Sequence, residues 1–212
     1  SGVPEFPHCG ADSIEEALRV LHTTGAPLLA HAEVQGPLPE LDDILSRESQ
    51  RYQSFLRSRP EAAEEQAIQG LVELCRKTQA KVHVVHQSSG RALTWIRWAK
   101  EHQLPLSAET CPHYLYFVSE EIPLGHTEYK CVPPIREAAN QEKLWQGLQD
   151  GLLSQVVSDH SPCLPELKHL KDGDFFSAWG GIASLQLTLS VLWTKAHKLD
   201  LPLTKIVQWQ CE

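Results

Sequence analysis

Short apolar runs alternate with amphipathic segments along this chain. The spacing of apolar residues predicts helices over 13–23, 61–79, 89–102, 138–150 and 182–198. Apolar runs predict strands over 27–31, 81–86, 104–109 and 153–158. The segments 33–59 and 111–137 lack either period and are predicted to be long loops, with room for one helical turn in the first. Because strands that alternate with helices form parallel sheets, we expect an α/β fold.

Each of the four apolar runs finishes on a residue that can bind a metal or carry a proton. The runs end at or just before His31, His86, Glu109 and Asp159. Carboxyl ends of parallel strands meet at one edge of the sheet, where barrel enzymes place their catalytic groups. The sequence therefore predicts one site that is assembled from distant parts of the chain.

His31 and His86 are the candidate metal ligands among the histidines. One histidine at a strand end is more often a hydrogen-bonded structural residue, but a second at the same place on the next strand favours a shared role. Because alternate residues of a strand share a face, His83 is predicted to point away from His86 and to pack. Two neutral imidazoles and the carboxylate of Asp159 suit zinc or a similar divalent ion. That carboxylate can also move a proton during hydrolysis.

Three further features leave alternatives open. His160 either hydrogen-bonds a substrate or caps the end of its strand. Arg136, in a proline-rich loop, is expected to close that loop through an ion pair. Gly180 and Gly181 are predicted to open a helix and so to offer backbone N–H groups to a substrate carbonyl or anion, with a plain tight turn as the alternative.

Composition narrows the class of protein. The 212 residues correspond to one large domain or a piece of a larger one, and with 42% hydrophobic and 22% charged residues the chain can bury a core. A net charge of -8 argues against nucleic acid and anionic membranes as partners. The six cysteines lack metal-ribbon spacing, which favours reduced thiols inside a cell. With no methionine and serine first, the chain is expected to be a fragment, a processed product or an edited sequence.

Several short segments of the chain resemble the cyclic amidohydrolases, and most closely the allantoinase group. The similar segments occur in the family's order over almost the whole chain, at residues 1–7, 31–33, 58–60, 83–89, 109–115, 130–136, 158–163 and 179–182. The resemblance implies that residues 1–212 form a partial amidohydrolase domain, roughly the second half of a (β/α)₈ TIM-type barrel. A whole barrel needs about 250 residues.

The resemblance also implies a site and a reaction. Two divalent metal ions, with zinc favoured, would be bridged by a carboxylated lysine and a hydroxide. His31 and His86 would bind one ion, and Asp159 would bind the other and act as general base and acid. Backbone near Val132 and Gly180 would hold the ring amides of a cyclic ureide. The implied reaction opens the ring of allantoin to give allantoate in purine degradation.

The chain departs from the family pattern in two ways. It has no His-x-His pair, and the bridging lysine is expected upstream of the first residue. We therefore expect the isolated chain to be inactive, and its uncovered sheet edges predict aggregation or a borrowed partner. The family implies a homo-oligomer, placed in the cytoplasm in preference to a peroxisome or mitochondrion. A dihydropyrimidinase or hydantoinase, and a scaffold relative without catalysis, are the alternative functions.

Overall fold

The structure is a computed structural model and describes residues 8–34 and 48–211. The strands of the described part are β1 (Leu28–Ala30), β2 (Val82–Val84), β3 (Leu106–Thr110) and β4 (Gln155–Val156). Its α-helices are α1 (Ala11–Thr24), α2 (Tyr52–Arg57), α3 (Glu61–Thr78), α4 (Leu93–Glu101), α5 (Pro112–Tyr116), α6 (Ala138–Gln149), α7 (Thr188–Lys198) and α8 (Leu203–Cys211). Short 3₁₀ turns lie in the connections after α5, β4 and Ser184.

The strands form one sheet in chain order, β1-β2-β3-β4, and every pair is parallel. Leu28 pairs with Val82, which pairs with Leu106. Helices connect successive strands, which is the winding of a βα barrel. The predicted α/β fold with a parallel sheet is therefore confirmed.

Helices cover one face of the sheet, and the opposite face is more exposed. Val82 and Val84 are each 1% exposed and belong to the apolar core beneath the helices. On the opposite face Leu29 is 64% exposed, and Ser107 is exposed as well. In a complete barrel that second face points into the interior, where side chains from the other strands would fill it.

The last part of the chain differs from the prediction. Gly181 does not open a helix: its φ is 155°, and a Cβ there would lie 2.5 Å from the Ser161 carbonyl oxygen. Ile182 instead forms a parallel bridge with His160, and α7 begins only at Thr188. The terminal helix α8 was not predicted; it packs Trp209 against Trp145, with ring centroids 6.1 Å apart.

The other predicted helices and strands are confirmed within a few residues, but the segment 111–137, predicted to be a loop, also contains the short helix α5. Helix α1 begins at Ala11 with Gly10 as its N-cap, and no side chain caps it. The predicted start at residue 13 therefore lies inside the first turn. In the described ranges no helix has the length and apolar character that a membrane crossing requires. The thiols of Cys75, Cys111 and Cys131 are buried and unpaired, as the reduced state predicts.

Candidate metal centre

Two of the predicted ligands meet at the carboxyl edge of the sheet. His31 directly follows β1, and His86 lies two residues after β2. The Nδ1 atom of His31 is 3.0 Å from Nε2 of His86, and the ring centroids are 4.8 Å apart. Two imidazole nitrogens at this distance either share a proton or can bind the same cation, since zinc–nitrogen bonds are about 2.0–2.1 Å long.

The electrostatic surroundings keep this pair ready to bind a cation. Burial and, to a smaller extent, the neighbouring His31 lower the pKa of His86 to about 4, so its ring is neutral at pH 7. The other ring nitrogen of His31 lies 3.7 Å from the carboxylate of Glu33, which pairs with Arg59. Burial raises the pKa of Glu33, but His31 and Arg59 outweigh it and lower the pKa overall. A carboxylate behind a histidine is the usual support of a metal-binding imidazole, so these residues fit a metal ion.

The backbone conformation at His86 and Asp159 differs from that of a strand, so strand periodicity does not predict the direction of their side chains. Both have left-handed backbone, with φ of 41° and 42°. Such residues cost of order 1–3 kcal/mol and gather at functional sites, although Asp and His tolerate the region better than most. The alternation that groups His86 with Val82 and Val84 therefore stops at Val84. His83 does face away from Val84, but it lies in a polar network rather than in a packed core.

That network occupies the open face of the sheet. His83 Nδ1 lies 2.7 Å from the Ser107 hydroxyl and its Nε2 lies 2.9 Å from the Glu109 carboxylate. Gln155 donates to the same carboxylate at 2.8 Å. Burial raises the pKa of Glu109, but His83 and Gln155 more than offset it and lower the pKa overall. Glu109 therefore belongs to this network on the open face of the sheet and not to the His31–His86 pair.

A buried ion pair fixes the loop that follows His86. Glu64 accepts hydrogen bonds from the backbone N–H groups of Ser88 and Ser89, both at 3.1 Å, and from the Ser88 hydroxyl at 2.6 Å. Arg136 donates to Glu64 at 2.5 Å, and both side chains are 2% exposed. The ion pair predicted for Arg136 is confirmed. It connects helix α3 to the loop that carries the metal-competent histidine.

Two residues that were not predicted as metal ligands lie close to Asp159. One carboxylate oxygen of Asp159, the Cys111 sulfur and one ring nitrogen of His113 all lie within 4.8 Å of one another. Burial and the charge of Glu109 raise the pKa of Asp159, while His31 lowers it. Cys111 and His113 follow the end of β3 two residues apart, and that spacing at a strand end was the available signal.

His113 has an unusual environment for an imidazole. It is 2% exposed, and neither ring nitrogen has a hydrogen-bond partner. Burial and, secondarily, His86 lower its pKa to about 3, so the ring is neutral. A buried polar atom without a partner costs about 1–3 kcal/mol. The structure therefore keeps an unsatisfied donor–acceptor pair next to Asp159.

We expect His113→Phe to stabilise the chain by about 1 kcal/mol at pH 7 in the presence of a chelator, because the substitution removes both unsatisfied atoms. The folded-state pKa of His113 is lowered from 6.5 to about 3, so the unfolded chain binds more protons between these values. The contribution of the neutral His113 ring to wild-type stability should therefore be fully present above pH 6.5 and should be lost as the pH falls towards 3. The free energy of unfolding of the variant should fall less steeply over the same range. Urea midpoints across this range measure both effects, and a variant less stable at pH 7 would contradict the prediction.

The structure brings together the loops predicted to hold substrate. A Cβ on Gly180 would lie 3.1 Å from Cγ2 of Val132. The N–H of Gly181 donates to the Lys130 carbonyl at 2.9 Å and so is not available to a ligand. His160 Nδ1 accepts hydrogen bonds from two backbone N–H groups, of Ser184 at 3.1 Å and of Leu185 at 3.2 Å, which favours the capping alternative for that atom. A cavity of about 420 Å³ opens beside His113, Ser161 and Gly181.

Comparison with solved structures agrees with this arrangement. The L-hydantoinase (dihydropyrimidinase) from Arthrobacter aurescens superposes with a TM-score of 0.87 and 24% sequence identity, over 100% of this chain and 48% of that chain. No protein-family model matches the chain. The parallel sheet thus corresponds in fold to about half of a hydantoinase barrel.

Curated sequences narrow the class further. The mitochondrial allantoinase of Aquarana catesbeiana is 47% identical over 210 residues, and the allantoinase of Saccharomyces cerevisiae is 45% identical over 216 residues. These alignments cover 98% and 100% of this chain, but only 42% and 46% of the two relatives. The chain is therefore similar to allantoinases over almost its whole length, and it spans less than half the length of the curated relatives it matches.

Proposed function

We propose that the complete protein hydrolyses the ring amide of allantoin to give allantoate. The observation that carries this proposal is the 3.0 Å approach of His31 and His86 nitrogens at the carboxyl ends of adjacent parallel strands. This pair occurs in a chain 47% identical to an allantoinase. A site of this kind needs metal ligands from distant loops that converge at one edge, and these two residues meet that requirement.

Two divalent ions, with zinc favoured, complete the proposed site. His31 and His86 would hold one ion and Asp159 the other, with a carboxylated lysine and a His-x-His pair supplied from outside this chain. Bound divalent ions polarise a carbonyl group and make water a stronger nucleophile near neutral pH. Glu33 would orient His31, because its carboxylate faces the ring nitrogen on the side away from His86.

Asp159 is the proposed carrier of the proton. Hydrolysis adds water across the ring C–N bond: the water oxygen bonds to the carbonyl carbon, and one water proton must reach the departing nitrogen. Asp159 would accept that proton and then donate it.

The substrate is proposed to bind between the site and the loops after β3 and β4. Backbone groups near Val132 and Gly180 would hydrogen-bond the ring amides, and His160 would contact the substrate from the end of β4. A cavity of about 420 Å³ adjoins these loops and has room for a small cyclic ureide, although it is lined by His113 and Ser161 and not by the proposed metal ligands. We further propose a homo-oligomer inside the cell, in the cytoplasm or in an organelle such as the mitochondrion or peroxisome.

Rates on three ring substrates test this function. The complete protein should hydrolyse allantoin faster than dihydrouracil or a substituted hydantoin, while the 212-residue chain alone should turn over none of them. Faster hydrolysis of dihydrouracil or hydantoin would replace the proposal with the dihydropyrimidinase or hydantoinase alternative. A metal-loaded complete protein that opens none of the rings would favour the scaffold alternative.

A further inference from the structure

A second group of metal-competent side chains meets at Asp159, next to the end of β3. Cys111 is the residue before α5, and His113 is in its first turn. Their sulfur and nitrogen donors lie within 4.8 Å of each other and of an Asp159 carboxylate oxygen. In the chain segments that the structure describes, this is the one set of three such groups that converges so closely.

The burial of these donors argues against an ordinary hydrogen-bonded cluster. His113 is 2% exposed, and both of its nitrogens lack a partner. Cys111 is 0% exposed, so its sulfur has no solvent contact. A neutral imidazole with an unused lone pair, beside a thiol and a carboxylate, is the donor set that zinc-like ions prefer.

We propose that Cys111 and His113, with Asp159, form a further cation site that binds a thiophilic divalent ion such as Zn²⁺ or Cd²⁺ and that shares Asp159 with the proposed catalytic site. Donors of a tetrahedral zinc site lie about 3.5 Å apart, given zinc–sulfur bonds of about 2.3 Å and zinc–nitrogen bonds of about 2.0–2.1 Å. Small side-chain rotations therefore bring the three donors into range. On binding, the Cys111 sulfur loses its proton to solvent and bonds to the ion, and no electron is transferred.

Because Asp159 belongs to this site, an ion bound there would compete for the carboxylate that is proposed to carry the catalytic proton. This consequence rests on the proposed function, whereas the cation site itself does not. Excess Zn²⁺ or Cd²⁺ should then inhibit the complete protein, and Cys111→Ser should relieve the inhibition.

Cobalt(II) is a suitable probe, because a cobalt–thiolate bond gives a charge-transfer absorption that nitrogen and oxygen ligands do not. The complete protein should develop this band on titration with Co²⁺, because the other proposed metal ligands are nitrogen and oxygen donors. Cys111→Ser should abolish the band, and His113→Ala should weaken Co²⁺ binding. Cys75→Ser is the matched control, since Cys75 is also a buried thiol at 0% exposure and should leave the band unchanged.

A Co²⁺-saturated wild-type protein without the band would overturn the proposal, as would a band that survives in Cys111→Ser or disappears in Cys75→Ser. Cadmium NMR of the wild-type protein provides a test that does not depend on the folding of any variant. A resonance typical of sulfur ligation is expected, and one typical of nitrogen and oxygen ligands alone would refute the site. An inactive complete protein that keeps the thiolate band would contradict the proposed function only.

Discussion

Replacing Glu64 with alanine is expected to destabilise the chain by about 3–5 kcal/mol. The substitution leaves the Arg136 guanidinium, 2% exposed, without its carboxylate, and it removes the acceptor for the N–H groups of Ser88 and Ser89. A buried charge without a partner is the costly outcome of breaking such a pair. Because the freed loop follows His86, the variant should also bind metal more weakly. The shift of the urea unfolding midpoint, followed by tryptophan fluorescence, measures the loss.

Glu65→Ala is the matched control for this prediction. Glu65 lies next to Glu64 in α3 and pairs with Arg91 at 3.0 Å, but 56% of the Arg91 side chain is exposed. A surface ion pair of this kind contributes about 0–1 kcal/mol. Equal midpoints for the two variants would show that the buried Glu64–Arg136 pair does not hold the loop.

In the complete protein, Asp159→Asn is expected to lower kcat for allantoin by about 10²–10⁴-fold. The amide keeps the shape of the side chain but can neither accept nor return the proton. The effect should fall mainly on kcat rather than KM, because the substrate contacts proposed for Val132 and Gly180 come from the backbone. Steady-state kinetics together with elemental analysis would separate a lost proton carrier from a lost metal ion.

Asp150→Asn provides the reference for that measurement. Asp150 lies after α6 and forms an ion pair with Arg97 at 2.8 Å, with 51% of the Arg97 side chain exposed. Its replacement should leave kcat within about twofold, since a surface ion pair contributes little. If Asp159→Asn retained wild-type kcat as well, Asp159 could not be the proton carrier.

The order of elements could be predicted from the sequence because local physics determines it. Apolar runs such as 81–86 lie in a parallel sheet covered by helices, and helical spacing marked 61–79 to within one residue of α3 (Glu61–Thr78). Strand ends were less predictable. The backbone at His86 and Asp159 is left-handed. Histidine and aspartate tolerate this conformation but do not require it, so their presence in the sequence does not predict it.

Contacts between distant segments explain what was missed at the site. Strand-end positions identified His31 and His86, whose rings the structure brings together. The sequence could not place Cys111 and His113 beside Asp159, because the spacing of residues in two different loops carries no information on the distance between them. The ion pair of Arg136 was expected, but its partner Glu64 lies 72 residues away and reads as an ordinary helix position.

The most direct test of the account is zinc binding by the histidine pair, measured by isothermal titration calorimetry in a Cys111→Ser background. This background removes the Cys111 thiol, so that zinc binding at the further cation site does not contribute to the measured heat. His86→Ala should abolish the binding of one zinc ion per chain, while His126→Ala, at an exposed histidine paired with Glu128, should preserve it. Zinc binding that is unchanged in His86→Ala would contradict the claim that His31 and His86 form a metal site at the edge of the sheet.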